Sequence, residues 1–311
     1  MKESILPRMH TNTQDIVLGG IIKHVQDKKM VIVLGEPGEG KTITVLDFCM
    51  QNTCPSYYYR CSPNTTMNSL LIFIANAIGI RVVGSNDELQ NRIQKKLQQN
   101  PDYCFVFDEA EYLAYGNGTK IDVLRQIFDE TDVPIILCGT YVLKDLISGE
   151  RKKNADRTHN RPQIFRRLRK EEFEMIEEKE VLDYLSFLER NYAVIFDTRV
   201  KQDLISICRD RQSGGLGNFI EIIELIFSIV RPEWKDISNQ LNRLNNRTVH
   251  THDETAQSFT AIKPDKDDNK TNTNRTVIHE ETQNTVDVSS LTTVTIDISL
   301  LKDALRHKMT M

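Results

Sequence analysis

The chain has 311 residues, 39% hydrophobic and 27% charged, with a formal net charge of −4. That length allows about two domains, and the slight acidity means that any hold on nucleic acid or membrane must come from local patches. No apolar stretch is long enough to span a bilayer and no signal-peptide core opens the chain, so a soluble, cytoplasmic protein with no membrane partner is expected. The six cysteines, at 49, 54, 61, 104, 138 and 208, form no C-x-x-C pair, which points to reduced, mostly buried thiols.

The first strong element is the apolar run Met30 to Leu34, predicted to be a buried strand, and Gly35-Glu36-Pro37-Gly38-Glu39-Gly40-Lys41-Thr42 follows it directly. This is a G-x-x-x-x-G-K-T phosphate loop. Its glycines let backbone N–H groups turn toward a phosphate, Lys41 reaches the terminal phosphates, and Thr42 offers a hydroxyl to Mg²⁺ where a helix starting near Ile43 begins. Tyr57 to Tyr59 reads as the next strand and Met67 to Ile78 as a largely buried helix. Leu89, Ile93 and Leu97 mark a more polar helix that stops at Asn100-Pro101.

Tyr103 to Phe107 is a second apolar strand, ending in Asp108-Glu109. A carboxylate at a strand end can hold Mg²⁺ while its neighbour orients and deprotonates an attacking water, which assigns Asp108 to the metal and Glu109 to the water. Ile121, Leu124, Ile127 and Phe128 define another amphipathic helix, and Pro134 to Cys138 the next strand. Thr140, at that strand's tip, has two readings: a contact to the γ-phosphate or the attacking water, or a cap on the helix Tyr141 to Ile147. The alternation of strands and helices predicts a parallel α/β sheet with helices on both faces and a ligand at the carboxyl ends of the strands.

Residues 151 to 170 hold nine Lys or Arg against one acid, Asp156. A solvated loop, an arginine finger (Arg166 or Arg167) reaching a neighbouring subunit's nucleotide, and a phosphate-binding patch that includes Lys152 and Lys153 are all compatible with this run. From residue 177 strands give way to helices with apolar faces at Val181 to Leu188, Val200 to Cys208 and Phe219 to Ile226, the last two separated by Gly214-Gly215-Leu216-Gly217. Such a glycine turn can bring the third helix's N-terminus to a nucleotide. Beyond about residue 248 the polar composition predicts a disordered tail. Its end regains apolar residues, Val294, Ile296 and Ile298 alternating and then Leu300, Leu301 and Leu305 at helical spacing, compatible with a partner-docking motif. The expected division is thus a nucleotide-binding core over 1–176, a helical lid over 177–247 and a tail over 248–311.

Together the phosphate loop, Asp108-Glu109-Ala110-Glu111, the strand ending Leu137-Cys138-Gly139-Thr140 and the Arg-rich stretch before the helical lid resemble an AAA+ P-loop ATPase. The compact spacing and the Asp-Glu-Ala after the strand are similar to the transposition regulators MuB and TnsC, over roughly residues 10 to 230. The resemblance implies an ATP- and Mg²⁺-dependent homo-oligomer or filament on duplex DNA that directs a transposase, or another recombination protein, to target sites. It gives Lys41, Thr42, Asp108 and Glu109 the nucleotide chemistry, Thr140 the sensor role and Arg166 or Arg167 the role of trans-acting arginine. It places DNA contacts around Arg60 to Asn68, Thr66 included, and around Arg81 to Ser85. One departure is Asn218, where a sensor arginine is common in the family. A general loader or secretion-type ATPase and a nucleotide-gated scaffold are the alternatives, and Glu109 argues against the scaffold.

Overall fold

The computed structural model describes residues 6, 8–51, 54–115, 118–148, 166–230 and 294–310. In chain order the elements are α1 (Asn12–Gln26), β1 (Met30–Leu34), α2 (Lys41–Gln51), β2 (Ser56–Arg60), α3 (Met67–Ala77), α4 (Asn86–Gln99), β3 (Cys104–Asp108), α5 (Glu111–Ala114), α6 (Thr119–Thr131), β4 (Ile135–Gly139), α7 (Tyr141–Ser148) and β5 (Leu168–Glu172). These are followed by α8 (Glu178–Tyr192), β6 (Val194–Phe196), α9 (Thr198–Arg209), a 3₁₀ turn at Arg211–Ser213, α10 (Gly215–Val230), β7 (Val294–Ile296) and α11 (Ile298–Thr310). They form two compact units, Met9–Asp183 with Gln202–Ile220, and Met1–Arg8 with Tyr184–Lys201 and Glu221–Met311.

The first unit is built on a five-stranded sheet in the order β2-β3-β4-β1-β5, every pairing parallel. All five residues of β1, β3 and β4 are buried, because helices cover both faces. Alternate side chains nonetheless enter different cores. Met30, Ile32, Leu34, Phe105, Phe107, Ile135 and Leu137 join the core that α3, α4, α6 and α7 cover. Val31, Val33, Cys104, Val106, Ile136 and Cys138 join the one that Val17, Ile21 and Val25 of α1 and Val45 and Phe48 of α2 cover. Three helices open on capping boxes at Thr11, Thr66 and Ser85, which satisfy their first N–H groups.

Two strands depart from the sequence reading. The basic run holds an edge strand: Leu168–Glu172 pairs with β1 from Met30↔Leu168 to Leu34↔Glu172. Its Leu-Arg-Lys-Glu-Glu sequence carries no strand periodicity, because an edge strand tolerates charge. Glu171 lies against α1 and meets His24 at 3.1 Å. Nor do strands stop at 177. In the second unit β6 and β7 form a two-stranded parallel sheet, Val194↔Val294 to Phe196↔Ile296. The alternating and then helical pattern at the end of the chain appears as β7 and α11, with Ile296, Leu301 and Ala304 buried and Lys308 bonded to Glu221 at 2.6 Å. Residues 231–293, the end of the expected lid and most of the expected tail, lie outside the described residues.

Candidate functional site

The phosphate loop leaves β1, which lies between the central strand β4 and the edge strand β5. Gly38 and Gly40 have φ of +85° and +92°, the left-handed region that a side chain disfavours. The Gly35 N–H donates to the Gly139 carbonyl at 3.4 Å, tying the loop to the end of β4. Lys41 Nζ donates to the Glu36 carbonyl at 2.8 Å, and Glu39 Oε2 accepts the Glu36 N–H at 2.7 Å. Pro37 is exposed and Ile43 half-buried in the first turn of α2.

The acid strand meets this loop directly. The Thr42 hydroxyl donates to Asp108 Oδ2 at 2.7 Å, and so does the Tyr58 hydroxyl from β2 at 2.8 Å. Asp108 is 2% exposed, and its Oδ1 accepts the Glu109 N–H at 2.9 Å. Burial and the bond to Asp108 push the Tyr58 phenol well above its ordinary pKa, so it stays a donor. Thr42 and Asp108 are hard oxygen donors of the kind that suits a Mg²⁺ ion shared with nucleotide phosphates and water. Among the described residues no group of three or more His, Cys, Asp or Glu is placed to hold a metal ion.

Glu109 has φ +53°, a strained conformation for a residue with a side chain. Its carboxylate is 3.5 Å from Arg60 at the end of β2. Glu111, at the start of α5, is buried, and its Oε1 accepts both the Thr140 hydroxyl (3.1 Å) and the Thr140 N–H (3.4 Å).

A third side of the site comes from the segment between α9 and α10. Arg211 Nε lies 2.6 Å from Glu39 Oε1, and its Nη2 donates to the Phe173 carbonyl at 3.1 Å. Burial raises the Glu39 pKa against the opposing pull of the Glu36 N–H, Arg211 and Lys41. The glycine turn packs on the loop so closely that a side chain on Gly38 would overlap the Gly214 carbonyl, and one on Gly217 would lie 3.0 Å from the Gly38 Cα. Beside this contact is a slot lined by Thr11, Met175, Ile176, Cys208 and Leu216, apolar in the main and bounded by Glu39 and Arg211.

The structure therefore brings Lys41, Thr42, Asp108, Glu109 and, through Glu111, Thr140 to one end of the sheet. Arg60 joins them, while Thr66 is the exposed N-cap of α3 and Arg81 is exposed in the loop before α4. Arg166 is exposed, and Arg167 is bonded to Asp129 at 2.5 Å. Lys152 and Lys153 lie outside the described residues. Sequence reasoning missed Tyr58, Glu111 and Arg211. A third acid close behind Asp108-Glu109 was a usable signal for Glu111, whereas Tyr58 and Arg211 carried none, since their partners are 50 and 172 positions away.

Comparison with known proteins bears on the fold. An AAA domain model matches residues 23–147. No curated protein matches the sequence. Among solved structures, the Aeropyrum pernix ORC1 protein in complex with DNA is 16% identical, with a TM-score of 0.53 over 73% of this chain and 62% of that one. A Walker-type ATPase of Pyrococcus abyssi is 12% identical, with a TM-score of 0.50 over 82% and 80%. Drosophila ORC bound to DNA is 15% identical, with a TM-score of 0.47 over 71% and 55%. This chain thus spans less than two thirds of the ORC1 chain. Among the described residues no helix is long and apolar enough to cross a membrane. The matched residues hold the phosphate loop, the acid strand and four of the five strands of the parallel sheet, which β5 completes, and the fold is that of an AAA+ P-loop protein.

Proposed function

We propose that this protein is an ATP-hydrolysing, Mg²⁺-dependent AAA+ switch that self-assembles on duplex DNA. Lys41 and the loop N–H groups bind the phosphates, Thr42 and Asp108 hold the ion that neutralises their charge, and Glu109 takes the proton of the attacking water. Arg166, exposed two residues before β5, is the better candidate for an arginine acting in a neighbouring subunit, since Arg167 is engaged with Asp129.

The observation that carries the reading is the Arg60–Glu109 pair at 3.5 Å. Arg60 opens the loop that the family resemblance assigns to DNA, and it holds the carboxylate assigned to water. A DNA phosphate competing for Arg60 would release Glu109, which couples binding to hydrolysis. The archaeal ORC1 neighbour, solved in complex with DNA, supports the same direction. That the DNA-bound oligomer directs a transposase rests on the motif resemblance alone. The test is steady-state ATP turnover with and without duplex DNA. Arg60→Ala should raise basal turnover and abolish stimulation by DNA; stimulation equal to that of the wild type would sink the coupling.

A further inference from the structure

We infer that Glu111 fixes the polarity of Thr140, so that Thr140 accepts a hydrogen bond from the attacking water instead of donating one to the terminal phosphate. This rests on the ATPase reading and deepens it. One carboxylate oxygen, Glu111 Oε1, receives two groups of Thr140: its N–H at 3.4 Å and its hydroxyl at 3.1 Å. A backbone N–H can only donate, so Oε1 is an acceptor, and the single hydroxyl proton of Thr140 is committed to it. What Thr140 presents to the site is lone pairs. Phosphate oxygens of a bound nucleotide are acceptors too, and a water molecule is the reactant able to donate to them.

The clamp is built into the packing. Glu111 is 7% exposed, and among the described residues its second oxygen, Oε2, has no hydrogen-bond partner. Oε2 lies in the space a side chain on Gly139 would occupy, so the carboxylate packs directly on the end of β4. The Ala110 N–H donates to the Cys138 carbonyl at 2.9 Å, holding the ends of β3 and β4 together, so Glu109 and Thr140 are anchored to one frame. In the step this arrangement serves, the water oxygen bonds to the γ-phosphorus as the bond from that phosphorus to the β–γ bridging oxygen breaks. One water proton passes to Glu109, the other stays hydrogen-bonded to Thr140 Oγ1, and ADP and phosphate leave. Glu111 is a positioning residue: it touches Thr140 and none of the reacting atoms.

The experiment measures ATP and ADP affinity by competition against a fluorescent nucleotide, together with turnover, in the full chain. Thr140→Val should cut turnover at least about tenfold while leaving the ratio of ATP to ADP affinity unchanged, and Thr140→Ser should restore turnover. In Glu111→Ala the acceptor is lost and the hydroxyl proton is free for the phosphate, so the ATP:ADP ratio should rise about tenfold while turnover falls; in Glu111→Gln the Thr140 N–H holds the amide oxygen at the Oε1 position, and the wild-type ratio should be kept. A Thr140→Val protein that loses ATP:ADP discrimination overturns the inference, because Thr140 then donates to the phosphate; so does one with normal turnover, because Thr140 is then only a cap. If Thr140→Val does not fold, an unchanged ATP:ADP ratio in Glu111→Ala overturns it alone. Failure of the ATPase reading looks different: the wild type would bind ATP no better than Lys41→Ala.

Discussion

Gly38→Ala tests the contact between the glycine turn and the phosphate loop in the absence of nucleotide. At φ +85° an alanine occupies the left-handed region, which costs about 1–2 kcal/mol. Its methyl would also overlap the Gly214 carbonyl and sit 3.2 Å from the Gly217 backbone nitrogen. Both obstacles are backbone, so the turn has to move, and overpacking of that kind costs about 1–3 kcal/mol. The total, near 3 kcal/mol, corresponds to a fall in Tm of roughly 6–12 °C for a unit of this size. Gly40→Ala is the matched control. Its φ of +92° imposes the same dihedral cost, yet its methyl would meet the end of the Gln14 side chain. That side chain also closes the α1 capping box by accepting the Thr11 N–H at 3.2 Å. Adding Gln14→Ala should therefore remove the steric part of the Gly40→Ala loss and leave the Gly38→Ala loss unchanged. Thermal melts of the four variants without nucleotide decide it. A Gly38→Ala shift below about 2 °C, or one relieved by Gln14→Ala, would show that the turn does not rest on the loop.

Two further outcomes follow from the site. Lys41→Ala should weaken ATP binding by at least about tenfold, because a charge-assisted contact to phosphate is lost, and Glu109→Gln should bind ATP and stall; equal ATP affinity in the wild type and Lys41→Ala, by fluorescent-nucleotide titration, contradicts the assignment. Burial pushes the Cys49 thiol up to about 11 and the Cys61 thiol up to about 12, and the thiolate is the reactive form, so native alkylation at pH 8 should be slow at both and rise about tenfold per pH unit at half-buried Cys49 until its pKa is reached; intact-mass kinetics check this, and rapid pH-independent labelling of Cys61 contradicts it.

The parts legible in the sequence are those whose physics is local. A phosphate loop is a short run of backbone whose glycines and lysine must be consecutive, and it lies where the spacing puts it. The buried strands β1, β3 and β4 declare themselves by continuous apolar runs, since both faces are covered. Even α1, which the sequence reading passed over, carries a readable capping box at Thr11 and Gln14 and an apolar stripe at Val17, Ile21 and Val25. Tertiary structure decided the rest. β5 is a strand because β1 offers an open edge, and its charged residues are tolerated there whatever their propensity. β6 and β7 are three residues each and pair across positions 194 and 294, a contact no local pattern encodes. Arg211 meets Glu39 only because the glycine turn lies on the loop, and Tyr58 reaches Asp108 only because β2 lies beside β3. The composition of a motif names the chemistry that a site can perform. The partners that orient each of its groups come from distant segments, and only the packing of strands and helices brings them within hydrogen-bonding distance.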